Sequence, residues 1–109
     1  MEKEWFAQLR GKHESSKVEL FYIWEEGCGV CVALKPKLLA LMEKQFPAFP
    51  VRQVKASEHR LSLAQLGVLT VPLILVLVEE REYYRANGLM SLSEFRERIR
   101  PLYEAYYPA

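Results

Sequence analysis

Residues 18–36 have the sequence VELFYIWEEGCGVCVALKP, an apolar run followed by the only two cysteines of the chain. The β-branched and aromatic residues of Val18–Trp24 predict a strand, and their almost unbroken apolar character indicates burial on both faces of a sheet. From Cys28 to about Gln45, apolar residues at positions 31, 34, 38, 41 and 42 follow the period of an α-helix. The two cysteines, Cys28 and Cys31, therefore lie where a strand passes into a helix.

The rest of the chain alternates helices and strands. Apolar residues at helical spacing predict helices, and β-branched runs predict strands. Ser57 is predicted to cap one helix, Gly67 to follow its end, and Ser91 and Glu94 to form a capping box for the last helix, which continues through Pro101. The other predicted elements are a helix at 2–10, a strand at 51–55, a helix at 58–66, an antiparallel hairpin of strands 73–78 and 83–86 around the charged turn 79–82, and a final helix covering the sheet.

Length and charge narrow the class of protein. The chain has 109 residues, half of them hydrophobic, which predicts a single domain spanning residues 1–109. Its formal charge is +1 with basic and acidic residues interspersed, so neither nucleic acid nor an anionic membrane is expected as a partner. Charged residues at positions 2–4 and the lack of any run of about 18 apolar residues favour a cytoplasmic protein.

A lone pair of cysteines in the cytoplasm is more often catalytic, redox-sensing or metal-binding than a permanent crosslink. Zinc requires three or four protein ligands, and beyond the pair the sequence offers only His13 and His59. We therefore expect no metal at this pair, which leaves a redox-active pair or two incidental buried cysteines.

Several landmarks resemble the thioredoxin superfamily. Cys28-Gly29-Val30-Cys31 matches the active-site CxxC, Pro36 matches the proline that bends the active-site helix, Val71-Pro72 matches the segment with the cis-proline, and Gly88 matches a glycine after the last strand. The resemblance covers the chain from about Val18 to the end. It implies a thioredoxin-like α/β fold with a central mixed sheet of about four strands flanked by helices. The family's first strand is expected to be missing, since one helix uses the stretch before Val18.

The resemblance implies a thiol–disulfide oxidoreductase that reduces protein disulfides, with no cofactor other than a redox-active disulfide between Cys28 and Cys31. Cys28, at the helix N-terminus, has a favoured thiolate and is the expected nucleophile. Cys31, one turn further along, is expected to resolve the mixed disulfide. The alternative is a redox-responsive binding module or sensor without efficient turnover.

In the resembled family the cis-proline loop lies opposite the cysteines, and the residue before the proline pairs with the substrate backbone. This implies a substrate-binding role for Thr70, Val71 and Pro72, with Val71 offering main-chain hydrogen bonds. The expected partners are protein disulfides and, for recycling, a reductase or a low-molecular-weight thiol. A monomer is expected, and the alternative is a dimer through an exposed tyrosine-rich region that comprises Tyr83, Tyr84, Tyr103, Tyr106 and Tyr107.

Some positions depart from the family pattern. The buried acid of thioredoxins is replaced by Tyr22, its accompanying lysine by Gln53, and the tryptophan before the first cysteine by Gly27. All 14 acidic residues are Glu, so no shifted Asp restores the acid. Tyr22 could hold a hydrogen bond but is a poor base at neutral pH, because its reference pKa is about 10. Either water, Glu25 or Glu26 assists Cys31, or the deprotonation of Cys31 is slow.

Overall fold

The fold alternates helices and strands in the order that the sequence predicts. A computed structural model describes residues 2–108. A 3-10 turn at Ala56–Glu58 precedes the third α-helix. The elements are α1 (Glu2–Arg10), β1 (Val18–Trp24), α2 (Gly29–Gln45), β2 (Val51–Lys55), α3 (Arg60–Gln65), β3 (Leu73–Val78), β4 (Arg81–Asn87) and α4 (Leu92–Tyr106).

The strands form one mixed sheet in the order β2-β1-β3-β4. β1 pairs with β2 in parallel, whereas β1–β3 and β3–β4 are antiparallel. This four-stranded sheet flanked by helices confirms the predicted thioredoxin-like fold. Within residues 2–108 no strand precedes β1, so β2 lies at the edge of the sheet.

Helices cover both faces of the sheet. Because successive strand residues point to opposite faces, the buried strand β1 contributes to two apolar clusters. One cluster contains Leu38 of α2 and Phe95 of α4, packed with Tyr22, while the other contains Phe6 of α1 and Leu63 of α3. No helix in residues 2–108 has both the length and the apolar character needed to cross a bilayer.

A buried ion pair joins α1 to the sheet, and sequence reasoning missed it. Glu19 on β1 is 1 % exposed, and the Arg10 guanidinium donates to its two carboxylate oxygens at 2.6–3.0 Å. Arg52 of β2 adds a hydrogen bond of 3.3 Å to the same carboxylate. The pKa of Arg10 is raised, mainly by its hydrogen bond to Glu19. The only signal in the sequence is a lone charge inside an apolar strand.

The β3–β4 turn is shorter than predicted. Glu79 and Glu80 both have positive φ, 49° and 65°, so the turn needs only these two residues and β4 begins at Arg81. A two-residue turn with positive φ at both positions usually contains Asn or Gly. Because both positions are Glu here, the sequence does not indicate the turn. The pairing register shifts between Val76 and Leu77, which places a bulge opposite them at Tyr83.

The start of the third helix also differs from the prediction. Ser57 does not cap it, since the Ser57 N–H donates to Glu25 Oε2 and α3 begins only at Arg60. The end of the helix is as predicted, because Gly67 has φ 71° just after it. In α4, Ser91 Oγ accepts hydrogen bonds from two main-chain N–H groups, and the helix continues through Pro101.

Candidate redox site

Cys28 and Cys31 lie at the start of α2 and are joined by a disulfide, with their Cα atoms 5.2 Å apart. Cys28 is the N-cap residue, in extended conformation, and its Sγ accepts a hydrogen bond of 3.1 Å from the Cys31 N–H. A helix N-terminus stabilises negative charge, so the same donor favours a thiolate at Cys28. Cys28 is partly exposed, whereas Cys31 is only 3 % exposed.

A groove of about 360 Å³, here the Cys28 groove, lies beside the disulfide. The Val71–Pro72 peptide bond in its wall is cis, as the resemblance implies. A Cβ atom at Gly88 would lie 2.8 Å from Pro72 Cγ, so only glycine fits this approach without displacement. Pro36 lies inside α2, away from the groove lining. The lining residues are Cys28, Gly29, Val30, Thr70, Val71, Pro72, Asn87, Gly88 and Leu89.

Tyr22 on β1 contacts the first turn of α2 through its hydroxyl group. Its hydroxyl donates a buried hydrogen bond of 2.6 Å to the main-chain oxygen of Cys31. Burial raises the pKa of Tyr22 above its usual value of 10, so the phenol stays protonated at neutral pH. Tyr22 therefore binds the backbone of the buried cysteine rather than acting as its base.

Comparisons with known proteins agree with this geometry. The chain is similar to the thioredoxin-like protein YdfQ of Bacillus subtilis, with 26% identity over 90 residues, covering 83% of this chain and 80% of the relative. Among solved structures, thioredoxin 1 of Thermosipho africanus matches with a TM-score of 0.70 and 26% identity, covering 81% of this chain and 97% of that one. The fold and the CxxC disulfide fit a thioredoxin-superfamily protein.

Thioredoxin O2 of Arabidopsis thaliana, solved in the oxidised state, shares the fold, with a TM-score of 0.71, 22% identity and coverage of 94% of this chain and 89% of that one. No protein-family model matches the sequence. Together, the thioredoxin-like fold and the disulfide support a function of the thiol–disulfide oxidoreductase type.

Glu25 and Glu26, the two glutamates that precede the CxxC motif, form hydrogen bonds with residues other than Cys31. Glu25 accepts from the N–H groups of Glu26 and Ser57 at 2.8 and 2.7 Å, and its pKa is lowered, mostly by the Glu26 N–H. Glu26 pairs with Lys55 at 3.0 Å, and this hydrogen bond is the main cause of the raised pKa of Lys55. The two carboxylates thus connect the loop before Cys28 to the last residue of β2 and to the 3-10 turn that follows it.

A second groove, here the α3 groove, has a volume of about 710 Å³. Sequence reasoning missed it, because it forms only where two loops, β2 and α3 meet. The α3 groove is lined by Glu25, Glu26, Lys55, Ala56, Ser57, Arg60, Leu63, Ala64, Val68, Leu69, Thr70 and Val71.

Within residues 2–108 no group of three or more His, Cys, Asp or Glu side chains is placed to hold a metal ion.

Proposed function

We propose that this thioredoxin-like protein is an enzyme that reduces disulfide bonds in proteins, with Cys28 as the nucleophile and Cys31 as the resolving cysteine. The observation that carries the proposal is the asymmetry of the pair. Cys28 is a partly exposed residue whose Sγ accepts a hydrogen bond from a main-chain N–H at the start of α2, whereas Cys31 is buried one turn further along. An accessible, stabilised thiolate attacks first, and a shielded thiol completes the exchange.

The reaction exchanges one disulfide for another. The Cys28 thiolate attacks one sulfur of the substrate disulfide, whose S–S bond breaks and releases the other sulfur as a thiolate that takes up a proton. Cys31 loses its proton and attacks the Cys28 sulfur of the mixed disulfide, which releases the second substrate thiol and forms the Cys28–Cys31 bond. Two electrons pass from the protein to the substrate, and two protons accompany them overall.

The Cys28 groove is the proposed place of the substrate chain. Val71 lines it beside Cys28, and its main-chain groups would pair with an extended polypeptide as in strand addition. Thr70 and Pro72 form the same wall, and Gly88 allows the close approach that shapes it. Pairing through the backbone implies that many different protein disulfides can bind.

The proton of Cys31 leaves without a buried carboxylate in this proposal. Tyr22 keeps its own proton because burial raises its pKa, and Glu25 and Glu26 are bonded to β2 and the turn after it. Water, or the substrate thiolate released in the first step, then accepts the proton. The released thiolate is the better-matched base, since an ordinary thiol titrates at about 8.5, whereas water is a weak base that relays the proton to the solvent.

We also propose a cellular location, an oligomeric state and a recycling reductant for the enzyme. We place it in the cytoplasm as a monomeric single domain of residues 1–109. A thioredoxin reductase or a low-molecular-weight thiol returns Cys28 and Cys31 to the dithiol after each turnover.

Trapping tests the assignment of the two cysteines. The Cys31→Ser variant should accumulate mixed disulfides with proteins of a cell extract, because nothing resolves the bond formed at Cys28, and Cys28→Ser should accumulate none. The reverse pattern would refute the assignment. Turbidity from insulin reduction with dithiothreitol measures turnover of the wild type, and a folded protein with no rate above background would instead indicate the redox-responsive binding module.

A further inference from the structure

The side chain of Arg85 on β4 joins the end of α3 to the sheet. Its guanidinium donates to the main-chain oxygens of Leu66 at 2.7 Å and Gly67 at 3.0 Å, which follow the last helical residue. The last carbonyl groups of a helix have no partners within the helix, and a cation beside them is favourable. Arg85 therefore caps α3 from a strand that is distant in the sequence.

Glu82 holds the Arg85 side chain in this position. Its carboxylate accepts from Arg85 Nε at 3.1 Å and from Arg85 Nη2 at 2.8 Å, in a two-pronged geometry. Residues three apart in a regular strand point to opposite faces of the sheet. The register shift between Val76 and Leu77 places Tyr83 as one extra residue in β4, and this bulge reverses the alternation. The bulge thus brings Glu82 to the same face of the sheet as Arg85.

The segment held in this way leads into the loop that is proposed to bind the substrate. Three residues separate Gly67 from Val71, whose main chain would pair with the substrate. The other end of the loop is fixed where Leu73, the first residue of β3, pairs with Asn87 of β4. The strand β4 therefore holds both ends of the loop, one through a side chain and the other through sheet pairing.

We propose that Arg85, oriented by Glu82 across the bulge at Tyr83, is a clamp that positions the main chain of Val71 for pairing with the substrate. Arg85 is a positioning residue, because it lies outside the Cys28 groove and acts through the loop. An exposed ion pair alone contributes little, but a forked guanidinium with four hydrogen bonds fixes its neighbours. This inference rests on the proposed function and deepens it: binding of a polypeptide backbone depends on the clamp, whereas the sulfur chemistry does not.

Two disulfide substrates separate backbone binding from sulfur chemistry. One is a dimer of the peptide Lys-Ala-Ser-Cys-Ser-Ala-Lys joined by its disulfide, which offers an extended backbone. The other is hydroxyethyl disulfide, which is small, uncharged and without a peptide backbone. The reduced protein, freed of reductant, is mixed with each substrate, and its dithiol supplies both electrons. The released thiol then gives the second-order rate constant of a single turnover.

Two arginines of the same strand give a matched pair of variants. Arg85→Met removes the clamp, whereas Arg81→Met removes an exposed arginine at the start of β4. In Arg85→Met the rate with the peptide should fall about fivefold, the worth of one main-chain hydrogen bond, and the rate with hydroxyethyl disulfide should stay within about twofold. Arg85→Lys keeps the charge without the fork and should give a peptide rate between those of the wild type and Arg85→Met. Arg81→Met should match the wild type with both substrates.

Backbone order parameters from NMR test the clamp without any substrate. In Arg85→Met the order parameters of the main-chain N–H groups of residues 68–71 should fall from about 0.85 towards about 0.6, while those of β3 stay unchanged. Because these values report on the folded molecules alone, a loss of stability by itself would not produce this result.

The outcomes distinguish the clamp from the proposed function. Unchanged order parameters, an unchanged peptide rate or an equal slowing with both substrates in Arg85→Met would overturn the clamp, while reaction of the wild type with the peptide upholds the proposed function. A wild type that reduces neither substrate would overturn the proposed function, and the role of the clamp in substrate pairing with it.

Discussion

Removing the Tyr22 hydroxyl should weaken the fold but leave the sulfur chemistry nearly intact. Tyr22→Phe deletes one buried hydrogen bond of 2.6 Å to the Cys31 carbonyl and keeps the ring that packs in the core. That carbonyl lies inside α2, where it retains the helical hydrogen bond of its own ladder, so no main-chain acceptor is left bare. The expected loss in the free energy of unfolding is about 1 kcal/mol, which lowers Tm by about 4–8 °C.

Urea unfolding and single-turnover reduction of a peptide disulfide measure the two effects separately. Because burial keeps the phenol protonated, the rate constants of Tyr22→Phe should stay within about twofold of the wild type from pH 6 to pH 8. Tyr103→Phe is the control, since it removes an acceptor of the Ala48 N–H at 3.2 Å in a different part of the fold. A rate reduced more than about tenfold at pH 7 in folded Tyr22→Phe would refute this reasoning and make the phenol part of the sulfur chemistry.

Three further substitutions test other contacts. Gly88→Ala should cost about 1–3 kcal/mol of stability and slow disulfide reduction, because its Cβ would lie 2.8 Å from Pro72 Cγ; urea unfolding with a change below about 0.5 kcal/mol would contradict the close approach. Glu25→Gln should be less stable than the wild type at pH 7 and equally stable at pH 2 in urea titrations. The pKa of Glu25 is lower in the folded than in the unfolded protein, so its ionised carboxylate stabilises the fold at pH values above the unfolded pKa of about 4.3. This stabilisation is lost as the pH falls through the folded pKa. Glu19→Gln should cost about 3 kcal/mol or more, because buried Arg10 would keep only Glu80, 3.9 Å away, as an acidic neighbour; a much smaller change would show that Glu80 or water compensates for the lost carboxylate.

The parts of the fold that depend on local patterns were predictable. The apolar strand Val18–Trp24 and the spacing of Cys28 and Cys31 needed only the sequence, because burial on both faces and helical period are visible in the order of residues. The hydrogen bond from Tyr22 to Cys31 depends on how α2 rests on β1, so a hydrogen-bonding role could be predicted from the residue type but its acceptor could not. The α3 groove could not be predicted from any local pattern, because its lining residues come from stretches that are distant in the sequence.

The short strand β2 explains how a sheet without the first thioredoxin strand can keep an open edge. Edge strands invite pairing with other chains, and basic side chains are a common protection. β2 carries Arg52 and Lys55, and each also binds an acid of the neighbouring segment: Arg52 contacts Glu19 under α1, and Lys55 contacts Glu26 just before the disulfide. The cations at this edge therefore fix the two ends of β1, so a substitution made to change the edge would also disturb the loop that positions Cys28.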